Sequence, residues 1–331
     1  MVPVDSLGLS AVFVARRRLV GRVRRTPLVH SAWLSESAGG DVYLKLESLQ
    51  ITSSFKLRGA FNAALALVEG LRPGESAPTL VTASAGNHGL ALAYAAEQLG
   101  LRTVVFTPRD APRAKLDAIV RHHADLRPEA ETYEESERRA KQFASATGAP
   151  YISPYSHPDI LAGAGTVGLE IVEDLPDVDL VIVPVGGGGL VAAVATVIKA
   201  ASPKIEVAGV EAEASHPFAD SLRAGRIVEV SVGPSIADGL VGNMDPETIT
   251  FSMVQRLVDR MAQVSEEQMV AAIRGLVAHE HLVTEGAGAA AVGAVLGGRL
   301  DLRGRRAAIV VSGSNIDADR LAALLSSGRS A

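Results

Sequence analysis

Lys56 stands in the stretch Ser53-Ser54-Phe55-Lys56-Leu57-Arg58-Gly59-Ala60, one turn into a helical pattern carried on by Phe61, Ala64 and Leu65. Ser53 and Ser54 are the expected N-caps. A lysine held at such a junction beside the Phe55 ring loses solvation, and desolvation lowers an ammonium pKa towards the free amine. A free amine is the form Schiff-base chemistry requires. Taken alone, the stretch reads first as an ordinary solvated lysine near a helix start, and only the other stretches overturn that reading.

Three other stretches carry chemistry of their own. Gly186-Gly187-Gly188-Gly189 lies between an apolar strand, 179–185, and an apolar helix, 190–201. Without side chains the backbone N–H groups approach an anion closely, and the positive end of the helix dipole adds to them. No Lys-Ser/Thr pair follows the glycines, so this is not a nucleotide P-loop. Gly187, Gly189 and Ala192 also satisfy the G-x-G-x-x-A dinucleotide pattern, with Glu211 ending the next strand where a ribose-binding acid belongs. That NAD-type oxidoreductase reading leaves Lys56 and the next stretch without work.

Ser84-Ala85-Gly86-Asn87-His88-Gly89 joins another strand to another helix. Its N–H groups and the Ser84 hydroxyl suit a carboxylate, and the Asn87 amide can donate to a phenolate oxygen. His88 reads as a structural hydrogen-bonding residue. Ser312-Gly313-Ser314-Asn315 follows the last strand, where a hydroxyl can meet an aromatic nitrogen. Glu211, Ser215 and His216, and separately His122 and His123, are too sparse to read as a cation site.

The elements that position these groups alternate strand and helix. The pattern predicts a helix over 5–23, a strand over 42–47, a helix over 56–69 and a polar hinge at 72–78. It continues with strands at 79–82 and 102–107, and helices to Leu99, over 113–121 and over 133–147. A further helix is expected to open at Gly165, then strands over 179–185 and 205–210, an irregular region over 213–250, helices at 250–261, 265–279 and 285–296, and a strand over 307–311. Such βα alternation implies an α/β fold of parallel sheets covered by helices.

Composition agrees. The 331 residues are 47% hydrophobic but only 4% aromatic, with 32 glycines, which suits close helix–sheet packing. That length predicts two domains, 1–75 with 154–331 forming the larger and 76–153 the smaller. There are no cysteines, which excludes disulfides, a thiolate nucleophile and Cys-ligated zinc, and fits a reducing cytosol. No apolar run reaches the roughly 20 residues of a membrane span, and no signal-peptide core is seen, so no membrane partner is expected. The arginine cluster 16–25 lacks interleaved aromatics in a chain of net charge −5, so it reads as a solvated helix face with no nucleic-acid partner.

In combination, the four stretches resemble the fold-type II (tryptophan synthase β-like) pyridoxal-phosphate enzymes, in particular the threonine/serine dehydratase and serine racemase group. The stretch 54–60 is similar to that family's Schiff-base lysine motif, 84–89 to its substrate-carboxylate loop, 186–189 to its phosphate loop and 312–315 to its ring-nitrogen motif. Pro154 to Asp159, Gly165-Thr166 and Ile236-Ala237-Asp238-Gly239 match as well, in order along nearly the whole chain. The resemblance implies pyridoxal 5′-phosphate bound by Phe55, Lys56, Asn87, Gly186, Gly187, Gly188, Gly189 and Ser312, with Lys56 catalytic. It implies a small amino-acid substrate held by Ser84, Ala85, Gly86, Asn87 and His88, no metal, and a homodimer. The implied reaction is β-elimination from L-threonine or L-serine, giving a 2-oxo acid and ammonia. A serine/aspartate-type racemase or a hydroxyaspartate dehydratase is the alternative on the same fold. The racemases place a second serine after the first of the carboxylate loop, where this chain has Ala85. Other departures are Ser53 for glycine, Ala164 for glutamine and His123 for glycine, and the regulatory domain that the biosynthetic, feedback-inhibited threonine dehydratases carry after the ring-nitrogen motif is not expected here.

Overall fold

The computed structural model describes residues 7–326. Among the described residues nine strands form two sheets. The larger is built from β1 (Leu28–His30), β2 (Asp41–Leu46), β6 (Leu180–Pro184), β7 (Glu206–Ala212), β8 (Arg260–Val264) and β9 (Arg306–Val311), in the order β1-β2-β9-β6-β7-β8. Only the β1–β2 pair is antiparallel. The smaller is the parallel set β3 (Thr79–Ala83), β4 (Arg102–Pro108) and β5 (Asp125–Ala130).

Strand β6, Leu-Val-Ile-Val-Pro, is buried along its whole length, as a central parallel strand covered on both faces must be. Its residues alternate between two cores. Leu180 and Ile182 face the helices Glu266–His279 and Gly286–Leu296, whereas Val181 and Val183 face Pro158–Asp174 and Gly189–Ala201. The helix Lys56–Glu69 crosses Pro158–Asp174 backbone to backbone. A methyl group at Gly163 would lie 2.3 Å from the Arg58 carbonyl oxygen, so only glycine permits that approach.

Several boundaries differ from expectation. The first helix is Leu9–Leu19; residues 5 and 6 of the expected one lie outside the described residues. Pro158–Asp174 starts one and a half to two turns before Gly165, because His157 caps it through Asp159 N–H and Pro158 occupies its first turn. The helix expected over 250–261 stops at Leu257, and Arg260–Val264 instead pairs with β7 as the sheet edge. A helix, Pro217–Ala224, stands in the region read as irregular, and β1 and the helix Ala32–Ala38 are additional. Among the described residues no helix is long and apolar enough to cross a membrane.

Candidate active site

The chemistry-bearing stretches all follow the carboxyl ends of parallel strands, where α/β sheets present their ligand crevice. Lys56 comes after β2 and a single 3₁₀ turn, the glycines after β6, Ser312 after β9 and Ser84 after β3. In the larger sheet β2, β9 and β6 are neighbours, so three of the four stretches converge by topology alone. All four line one cleft of about 1170 Å³.

The start of the lysine helix is stitched to the segment after β9. Phe55 N–H donates to the Ser312 carbonyl at 3.1 Å, Ser314 N–H to the Ser53 carbonyl at 2.9 Å, and Ser54 bridges to Gly313. This pairing overrides the expected serine caps. Phe55 is the N-cap, with no side-chain cap, and Ser53 takes a left-handed φ of 58°. Lys56 Nζ donates to the Pro154 carbonyl at 2.7 Å and sits 5.1 Å from the Phe55 ring centroid. Burial pulls its pKa down to about 8, with the negative charge of Glu285 opposing.

The N–H groups of Gly186, Gly187 and Gly188 make no hydrogen bond among the described residues, and they precede the helix Gly189–Ala201. Their backs are packed solid. A methyl at Gly187 would lie 2.4 Å from Tyr155 Cγ, and one at Gly188, whose φ is +78°, would lie 2.4 Å from Phe218 Cζ. Glu211, the candidate ribose acid, instead accepts the N–H groups of Phe218 and Ala219 at 2.8 and 2.9 Å, capping the helix that carries Phe218. It is thereby committed to the fold behind the glycines.

Gly187→Ala is expected to push Tyr155 aside, and Tyr155 has little room because its hydroxyl accepts the Asp245 N–H at 3.1 Å. The expected outcome is a stability loss of about 1–3 kcal/mol in a thermal melt, with weaker cofactor retention by absorbance titration.

The Ser84–Gly89 loop forms the opposite wall. Ser84 Oγ accepts Gly86 N–H at 3.2 Å, and the helix Asn87–Leu99 begins there. His88 faces the Ile152 carbonyl at 3.3 Å, and burial together with Lys56 depresses its pKa to about 3, so the ring is neutral and structural. Ser312 Oγ lies 3.4 Å from the Ala287 carbonyl at the cleft wall.

One site residue lies outside every sequence motif. Glu285 is buried beside Lys56, and its Oε1 accepts from Asn87 Nδ2 at 2.6 Å. Burial raises its pKa to about 7, although the Asn87 hydrogen bond pulls the other way. Its signal in the sequence is a lone acid directly before a helix, Gly-Ala-Gly-Ala-Ala-Ala-Val-Gly-Ala-Val-Leu, apolar all round and so without a solvent face.

Residues 20–313 match the family model described as pyridoxal-phosphate dependent enzyme. The chain belongs to this family. Among its relatives, the L-threonine ammonia-lyase of Thermotoga maritima is 42% identical over 95% of this chain and 77% of that protein. The L-threonine dehydratase catabolic TdcB of Escherichia coli is 37% identical over 95% of both. A maize serine racemase structure superposes with a TM-score of 0.88 at 30% identity, covering 95% of this chain and 97% of its own. The threonine deaminase structure from T.th. superposes at 0.84 and 36% identity, covering 94% and 99%. The family's cofactor is pyridoxal phosphate, and the residues present fit it: a desolvated lysine, free N–H groups for a phosphate and a neutral hydroxyl at the far wall. The NAD reading is overturned, and with it any role for Glu211 on a ribose.

Proposed function

We propose that the chain is an ammonia-lyase that dehydrates and deaminates L-threonine, and L-serine beside it, to the 2-oxo acid and ammonia. The observation that carries the reading is the half-buried, desolvated Lys56 amine, with a pKa lowered to about 8, in one cleft with a carboxylate-type loop and an anion-type loop. Relatives of nearly full coverage that bear threonine-deaminating names support the substrate. Screening a panel of β-hydroxy amino acids for release of 2-oxo acid tests it. L-Threonine and L-serine are expected to react and alanine is not; silence across the whole panel would contradict the assignment.

Bound pyridoxal phosphate supplies the electron sink that stabilises negative charge at the substrate Cα. The chain's residues do the rest. Gly186 to Gly189 would hold the phosphate by their N–H groups at a helix N-terminus, and Asn87, Phe55 and Ser312 would contact the ring. The Ser84–His88 segment binds the substrate carboxylate through backbone N–H groups and the Ser84 hydroxyl, which turns the Cα–H bond towards Lys56. Lys56, partly deprotonated near neutrality, removes that proton as general base. The β-hydroxyl then departs as water, a step that takes up one proton and needs no base on the opposite face.

Ala85 separates elimination from racemisation. Racemisation needs a proton donor on the face opposite Lys56, and the Ala85 methyl in the cleft wall carries no exchangeable proton. Ala85→Ser is expected to raise the ratio of D-serine to pyruvate formed from L-serine by at least about tenfold, within the ~10²–10⁴ of a placed acid–base group. An unchanged ratio on chiral chromatography would count against this placement.

Ser312, a neutral hydroxyl, would give the cofactor's ring nitrogen no anionic partner to stabilise a proton there. Ser312→Asp is expected to shift the absorption spectrum and slow elimination about tenfold or more, equivalent to ~1.4 kcal/mol. An unaltered spectrum and rate would place Ser312 elsewhere.

The segments 1–75 and 154–331 are proposed as one domain and 76–153 as the second. All strands of the larger sheet fall in the former and the three-stranded sheet in the latter, which supports the division. Lys115 pairs with Asp238, and Lys141 with Asp245, across the cleft mouth. A cytosolic homodimer is the proposed setting, resting on the resemblance and testable by light scattering.

A further inference from the structure

We infer that Glu285 and Asn315 are positioning residues that fix which end of the Asn87 side-chain amide is turned to the Lys56 cleft. The inference deepens the proposed function and rests on its assignment of Asn87 to the cofactor. The orientation follows from what each partner can give. The Thr52 backbone carbonyl has no hydrogen, so the Asn315 nitrogen must face it, at 2.9 Å. The same nitrogen lies 2.6 Å from Asn87 Oδ1. Its two N–H groups satisfy both acceptors, and a reversed Asn315 amide would satisfy neither Thr52 nor the present Asn87. Asn87 thus has its oxygen on Asn315 and its nitrogen on Glu285 Oε1, 2.6 Å away.

One Asn87 N–H is committed to Glu285, and the second remains for an acceptor in the cleft that Asn87 and Lys56 both line. A flipped amide would turn an oxygen to that acceptor and repel it. The geometry also explains the glycine in Ser312-Gly313-Ser314-Asn315. A methyl at Gly313 would lie 2.2 Å from Glu285 Oε1, so the carboxylate reaches Asn87 only because that side chain is missing. Gly288 serves the same contact from the other side, since a methyl there would lie 2.1 Å from the Gly313 carbonyl oxygen. Orientation therefore passes from a backbone carbonyl through Asn315 to Asn87, with Glu285 closing the chain.

A double-mutant cycle on cofactor affinity tests this, with pyridoxal phosphate titrated into cofactor-free protein and the thermal midpoint followed alongside. Asn315→Ala and Glu285→Leu are each expected to weaken binding about tenfold or more; once Asn87 is alanine the loss should fall below about twofold for Asn315→Ala, which acts through Asn87, and should shrink clearly for Glu285→Leu, whose charge also acts on Lys56. Glu285→Gln keeps an acceptor for the Asn87 N–H and should retain affinity within about threefold. Asn315→Asp, which preserves shape but cannot donate, should behave as Asn315→Ala and serves if the alanine variant does not fold. Equal losses in the wild-type and Asn87→Ala backgrounds would overturn the inference, since the two residues would then act on the fold at large. An Asn87→Ala change without effect on affinity or spectrum would overturn it too. That outcome leaves the Lys56 assignment standing, because covalent labelling of the lysine reads it separately.

Discussion

Lys56→Ala is expected to lower 2-oxo acid release from L-threonine by about 10⁴-fold or more, because it removes the proposed general base together with the proposed covalent anchor of the cofactor. The protein should nevertheless fold. Lys56 is the first residue of its helix, and its one side-chain hydrogen bond among the described residues goes to the Pro154 carbonyl. Burial has lowered its pKa from 10.5 to about 8, so the unfolded chain binds more protons between those values. The lysine therefore destabilises the cofactor-free protein fully below about pH 8, and the penalty fades as pH rises through about 10.5. At pH 7 the cofactor-free variant should melt at or above the wild-type temperature while activity is gone. A variant that melts well below wild type would show that Lys56 is structural. Substantial remaining turnover would remove it from the chemistry.

Arg58→Met is expected to cost about 3–5 kcal/mol of stability, the usual penalty for stripping one partner from a buried ion cluster. Arg58 is 1% exposed. Its guanidinium donates to both oxygens of Glu47 at 2.8 Å and to those of Glu170 at 2.7 and 2.8 Å. Lys45 Nζ reaches Glu170 at 2.6 Å and the Thr26 carbonyl at 2.7 Å, so two cations balance two carboxylates. Burial works against the charge on Arg58, but the two carboxylates hold its pKa above the ordinary arginine value. Burial likewise opposes ionisation of Glu47, and Arg58 holds its pKa below the usual carboxylate range. Without Arg58, two buried carboxylates would share one ammonium.

The same cluster ties the first turn of the lysine helix to the 3₁₀ turn Glu47–Leu49 and to the helix Pro158–Asp174. The loss should therefore be read twice, as a lower melting temperature and as weaker cofactor binding. Arg58→Lys keeps a charge but not the planar fork, and is expected to fall between. A loss below about 1 kcal/mol for Arg58→Met would mean that water enters and solvates the carboxylates.

What could be read from the chain was local. Lys56, the four glycines, Ser84 to Gly89 and Ser312 to Asn315 each combine a turn chemistry with a strand or helix beside it, and all four line the one cleft. Strand β6 was equally plain, because burial on both faces writes an unbroken apolar run. What escaped depends on partners distant in sequence. Ser54 pairs with Gly313 rather than capping a helix, and Glu170 meets Lys45 across 125 positions. Glu285 acquires meaning only beside Asn87, 198 residues earlier. Strand β8, exposed at its start and paired on a single side, carries too weak an alternation to be told from the end of a helix. His123, where the resembled family has glycine, adopts the left-handed φ of 59° that a glycine would take freely.

Borohydride reduction of the purified, cofactor-loaded protein, followed by peptide mapping, reads the central claim most directly. The protein should be yellow before reduction. The reduced pyridoxyl group should then be found on the peptide carrying Lys56, at close to one per chain, and L-threonine added beforehand should lower that labelling. A colourless protein, or a pyridoxyl label on Lys45, Lys115 or Lys141 in place of Lys56, would contradict the account.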